Sequence, residues 1–235
     1  MTYRLFKYRS FAGDVARRRT RRVVAERQIY YAAPNQFNDP FDCDVCLCMD
    51  GADLGALGLP NCGDGNAKVK AYSENWLRNE ATKEYAVLSL SAVADSLLMW
   101  SHYADCHRGI CLELQFEATE PLHEVRYSTE RPVLYYADFG DATCDRFART
   151  VMDTLTTKSP DWAYEKEWRC IDTGGHGERP MPADMLTGII FGCRTPDSDK
   201  AMVRDWAAST GNRIFFYQAK QKDAAFALEI ERLDA

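Results

Sequence analysis

"LSLSAVADSLLMWSHYADCHRGICLEL", residues 88–114, decides the fold class. It opens inside the apolar strand "YAVLSLS", in which period-two alternation sends Ser89 and Ser91 to one face. Asp95 or Ser96 then offers an N-cap, and a short helix turns Leu97, Leu98, Trp100, Tyr103 and Ala104 partly inward. A strand re-enters at Gly109 through "RGICLELQF".

Upstream, the alternating, aromatic-rich "YRLFKYRSF" predicts a strand ending near Ser10, followed by a helix through "DVARRRTRRVVAER" and a second strand in "QIYYAAP". "NQFNDPFD" is a polar turn, since Pro40 excludes a helix there. Residues 50–68 form a glycine-rich loop, and "AYSENWLRNEATK" predicts a helix over 71–83. Downstream, strands are expected in "HEVRYS" and "RPVLYY" and a helix from Ala142 to Thr157. "EKEWRCID" reads as a strand, "TGGHGERP" as a turn, "MLTGIIFG" as a strand and "SDKAMVRDWAAST" as a helix. "RIFFYQAK" and "AFALEIERL" are closing strands. Strands outnumber helices and do not alternate with them, so the expectation is one α+β domain over 1–235.

A chain of 235 residues buries a core without disulfide or metal staples. Its net charge of −6 argues against a protein coated in nucleic acid. "RRRTRR", Arg17 to Arg22, is the local exception, either a phosphate-contacting patch for nucleic acid or the solvated face of a helix. No secretory leader and no membrane span are expected, and nine cysteines, an odd number, fit a reducing cytoplasm. Cys43 and Cys46 have CxxC spacing, with Cys48 and Cys62 following, but no second pair completes a zinc site. They read as free thiols, and no metal is expected.

Chemistry concentrates in "WAYEKEWRCI", residues 162–171. On a strand, Glu165 and Glu167 share a face while Lys166 and Trp168 take the other. Two carboxylates in one cleft raise each other's pKa, an arrangement suited to a cation or an oxocarbenium-like transition state; on a surface they are a solvated ladder. Trp100, His102 and Tyr103 gather aromatic walls of the kind that line small-molecule sites.

Together "KYRSF", "IYYAAPNQFNDPFD", the 88–114 run and "YEKEWRCI" resemble a widespread bacterial and phage family catalogued as domain of unknown function 2971, over roughly Tyr3 to Gly192. More distantly, the order of elements is similar to the ADP-ribosyltransferase superfamily. That resemblance implies mixed or antiparallel sheets split around a cleft with flanking helices. It implies NAD as substrate, with ADP-ribose passed to a protein, nucleic acid, small molecule or water, as in toxins and phage-defence factors. Carried over by position, Arg9 is the first-strand arginine holding the phosphates or nicotinamide ribose. Ser89 and Ser91 form the serine motif, and Trp100, His102 and Tyr103 line the nicotinamide pocket. Glu167 would bind the ribose 2′-hydroxyl and stabilise the cationic sugar, while Glu165 would orient or deprotonate the acceptor. Asn38, Asp39 and Asp42 would form an acceptor loop.

Two other readings stay open. One is a metal-dependent nuclease or phosphotransfer enzyme using Asp39, Asp42, Glu113 and Glu165 or Glu167 as oxygen ligands. The other is a non-catalytic module that binds a nucleotide or a protein.

Overall fold

The computed structural model describes residues 1–44, 46–48, 82–135 and 145–233. Its centre is one mixed eight-stranded sheet. The strands, in chain order, are β1 (Thr2–Arg9), β2 (Gln28–Tyr31), β3 (Cys46–Cys48), β4 (Tyr85–Ser91), β5 (Ile110–Glu117), β6 (Leu122–Glu124) and β7 (Arg126–Tyr127). They continue with β8 (Val133–Tyr135), β9 (Thr157–Lys158), β10 (Glu167–Thr173), β11 (Gly177–Pro180), β12 (Leu186–Phe191), β13 (Phe215–Gln221) and β14 (Leu228–Arg232). The large sheet runs β14-β13-β12-β5-β1-β4-β10-β6, and only β12 and β13 are parallel within it. The described helices are α1 (Gly13–Glu26), α2 (Leu97–Tyr103), α3 (Asp145–Thr156) and α4 (Asp197–Ala208).

The expectation of one α+β domain with few helices is met, but the sheets are not separate. One seam nearly divides them. All eight residues of β1 pair with β5, and seven pairs join β4 to β10, yet β1 meets β4 only at Phe6 opposite Ser91. Beyond Phe6 the two strands diverge, and the main cavity opens there.

Alternation along β1 explains how both sheet faces are covered. Leu5 packs with Val23 and Val24 of α1 and Val203 and Ala207 of α4. Phe6 and Tyr8 point the other way, onto Met99, Trp100 and Ala104 at α2. The arginines of α1 are mostly exposed, but Arg19, one turn before Val23, borders the main cavity together with it. Ser96 is the N-cap of α2, its hydroxyl accepting from the Met99 amide; of the residues expected to face inward there, Leu98 instead stays 46% exposed.

Two glycines fix the α2–β5 return. A Cβ on Gly109 would sit 2.1 Å from the Arg9 carbonyl oxygen, and one on Gly192 would sit 2.2 Å from that of His107. Just before Gly109, Asp105, Cys106 and His107 all take positive φ, a left-handed turn of three non-glycine residues. The stretch read as a turn at 173–180 contains β11, which pairs with β2. The loop expected over 50–68, and all but the last two residues of the helix expected over 71–83, lie outside the described residues. Among the described residues no helix is long and apolar enough to cross a membrane.

Candidate functional site

Glu165 and Glu167 do not sit on one strand. Glu165 ends a 3-10 helix over Pro160–Glu165, Lys166 turns into the left-handed region at φ 42°, and Glu167 begins β10. Strand parity is therefore not what unites them. The Lys166 turn throws its own side chain to solvent and leaves both carboxylates buried on the same cavity. Ser91 anchors that turn: its hydroxyl donates to the Glu165 carbonyl at 2.6 Å and accepts from the Val93 amide at 3.2 Å.

A buried charge cluster forms around the pair. Lys158 Nζ lies 2.6 Å from Glu165 Oε2, 2.9 Å from Glu167 Oε2 and 3.5 Å from Asp42 Oδ2. Arg169 is wholly buried, its Nε donating to Glu167 Oε1 at 2.9 Å and its Nη2 to both Asp42 oxygens at 2.8 Å. Arg169 Nη1 donates to the Leu155 carbonyl at 2.8 Å. Tyr103 Oη donates to Glu165 Oε1 at 2.7 Å, and Tyr127 Oη accepts from the Glu167 amide at 2.8 Å. Three carboxylates thus face two cations in one buried cluster, in which each carboxylate oxygen has a donor.

Environment separates the two acids. Burial pushes both upward, but Arg169 and Lys158 outweigh it at Glu167 and hold that carboxyl at about 2. At Glu165 burial prevails over Lys158 and Tyr103, and its carboxyl is raised. The surroundings thus favour the ionised form of Glu167 and the neutral form of Glu165.

The cavity holds about 860 Å³ and runs through the gap between β1 and β4. Glu165, Glu167, Lys158 and Asp42 close one end. Arg9, from β1, and Arg19, from α1, stand along the other wall, and neither has an ion pair among the described residues. Burial and then Arg19 lower the Arg9 guanidinium to about 10. Lys7 stands between the ends, its Nζ donating to the Ser89 carbonyl at 2.6 Å. The site is polarised: unpaired guanidinium groups suit an anionic group, and the carboxylates suit a positive centre.

The expected residues divide accordingly. Arg9, Ser89, Ser91, Tyr103, Asn38, Asp42, Glu165 and Glu167 all border the cavity. Trp100 does not: its indole N–H donates to the Ala94 carbonyl at 2.8 Å, and its fully buried ring packs edge-on to Tyr8. His102 is solvent-exposed beside Tyr164. Ser91 holds the turn, as described, and its hydroxyl is already engaged. Asp39 accepts from Trp162 Nε1 at 2.7 Å and borders a second cavity of about 630 Å³ that Lys158 also reaches. Asp42 is a buried partner of Arg169 and borders the main cavity.

Glu113 lies on the far half of the sheet, accepting from Thr187 at 2.8 Å, so the proposed oxygen-ligand set does not assemble. Among the described residues no three His, Cys, Asp or Glu side chains gather as a metal site. The arginine run is divided: Arg17 pairs with Asp199, Arg21 with Glu26 and Arg22 with Glu178, while Arg19 faces the cavity.

Lys7, Lys158 and Arg169 escaped the sequence reading, and Arg19 entered it only as part of the Arg17 to Arg22 run. Two carried a signal, because Lys7 is two residues from Arg9 and Arg169 is two from Glu167, each sharing a strand face.

A family model described as a protein of unknown function (DUF2971) matches residues 99–170. The matched segment runs from α2 to β10 and carries Tyr103, Lys158, Glu165, Glu167 and Arg169, whereas Lys7, Arg9 and Asp42 lie outside it. No curated protein and no solved structure matches the chain.

Proposed function

We propose that the cleft cleaves the nicotinamide–ribose bond of NAD and transfers ADP-ribose to an acceptor or to water, as a glycosyltransferase of the ADP-ribosyltransferase type. One observation carries this reading: Arg9 and Glu167, far apart in sequence, border one cavity across the seam at which Ser91 pairs with Phe6 on one side and Glu167 on the other. That order, with strands parting around a cleft, is the arrangement the superfamily resemblance implies.

Each group then has a task. Arg9 and Arg19 take the diphosphate through charge-assisted hydrogen bonds. Glu167, held ionised by Arg169 and Lys158, stabilises the positive charge that grows on the ribose as nicotinamide leaves. Glu165 accepts the proton of the attacking acceptor or water, a role matched by its raised carboxyl. Tyr103 and Lys158 fix its orientation. Trp100 has no part in nicotinamide stacking.

The test is incubation with NAD and quantification of free nicotinamide. Release should be abolished in Glu167→Gln and lost in Arg9→Ala. Intact NAD, together with no NAD-induced rise in melting temperature, sinks the reading. A second reading has its own support, because both Glu167 oxygens are already in ion pairs, as in a purely structural cluster. A nucleotide-binding module without turnover predicts the melting shift and no nicotinamide.

A further inference from the structure

Two lysines enter the main cavity, and their surroundings are opposite. Lys158 is ion-paired to three carboxylates, which together outweigh burial and keep it protonated. Lys7 has no carboxylate partner among the described residues; its one hydrogen bond, to the Ser89 carbonyl, uses a single N–H and holds the amine on the cavity wall. Arg9, two residues on, shares its strand face, and Arg19 stands on the same wall.

We propose that Lys7 is a carbonyl-capturing amine, condensing with the aldehyde of a phosphate-bearing ligand whose anionic group is held by Arg9 and Arg19. The nitrogen lone pair adds to the carbonyl carbon and forms a C–N bond. The resulting carbinolamine loses its hydroxyl, together with a nitrogen proton, as water. The product is an imine, and no oxidant or reductant takes part. Burial, then Arg9 and more weakly Lys158, against the pull of Glu167 and Glu165, lowers the Lys7 ammonium to about 8, so the neutral amine is accessible near physiological pH. The inference does not rest on NAD cleavage. Open-chain ADP-ribose is one ligand of the class, but the chemistry needs only an aldehyde and a phosphate.

Pyridoxal 5′-phosphate supplies both groups. The full chain, without NAD, is treated with it, reduced with borohydride and mapped by peptide mass spectrometry. Lys7 should carry the dominant phosphopyridoxyl label, ahead of Lys158 and Lys166. Inorganic pyrophosphate should suppress that label, and pyridoxal lacking the phosphate should label Lys7 about tenfold less, as expected when a charge-assisted phosphate contact is missing. Lys7→Arg should remove the label while keeping the Ser89 bond, with folding checked by circular dichroism. Arg9→Met should weaken labelling without removing the amine. Label spread evenly over surface lysines, or Lys7 unlabelled in folded protein, overturns the proposal.

Discussion

Arg169 Nη2 lies 2.8 Å from both carboxylate oxygens of Asp42, joining β10 to the turn that follows Pro40. The pair is buried, so its strength depends on completeness. Asp42→Ala should cost about 3–5 kcal/mol, because the buried Arg169 Nη2 would lose its two shortest acceptors. Chemical denaturation would measure this; a loss under about 1 kcal/mol would mean that Glu167 alone satisfies Arg169.

The two acids should differ in what their neutral isosteres do. Glu167→Gln removes the anion between Arg169 and Lys158, whereas Glu165→Gln replaces an acid whose neutral form burial already favours. Glu167→Gln should therefore be the more destabilising by roughly 2 kcal/mol. Paired melting curves decide, and equal losses would contradict the division of roles.

Acid dependence follows from the same pair. Glu167 is held at about 2 against an ordinary 4.5, so its stabilisation is complete above about 4.5 and fades as pH falls towards 2. Glu165 acts oppositely: its raised carboxyl takes up a proton first and relieves a penalty. Stability should hold or rise slightly on mild acidification and then fall below about pH 4.5. Denaturation midpoints across pH, with Glu167→Gln as the flattened control, would show it.

Much of the architecture is legible in the residues. Alternation in "YRLFKYRSF" and "YAVLSLS" locates β1 and β4, and Ser96 marks the start of α2. The acidic pair is legible too, but its geometry is not. "EKE" reads as strand by parity, and only tertiary packing, with Ser91 on the Glu165 carbonyl, bends Lys166 into a left-handed turn. The aromatic cluster misleads for a related reason. Trp100 and His102 sit two apart on a helix, so one is core and the other exposed, and sequence spacing alone does not say which face meets the cavity. The pairing of Asp42 with Arg169, 127 positions apart, leaves no local pattern.

Lys7 should weaken the fold at neutral pH. Its folded ammonium titrates near 8 against an ordinary 10.5, so the penalty is full below about 8 and is relieved as pH rises towards 10.5. Lys7→Met should be more stable than the parent by about 1–3 kcal/mol at neutral pH, with the gap closing near pH 10.5. A gap that widens with alkali has the wrong sign.

Gly109→Ala should be among the most damaging single changes, since its Cβ would sit 2.1 Å from the Arg9 carbonyl oxygen and backbone must move. A loss of roughly 3 kcal/mol or more is expected, with Arg9 displaced. Unchanged melting and unchanged ligand response would show that β1 yields freely.

The single Phe6–Ser91 rung between β1 and β4 has a mechanical meaning. Two plates of paired strands are joined there by one rung, and that line borders the main cavity. A guest reaching from Arg9 to Glu167 would tie the plates from within, supplying the cross-links the main chain omits. Occupancy would then be felt as slower amide exchange along the full length of both strands, far from any atom the guest touches.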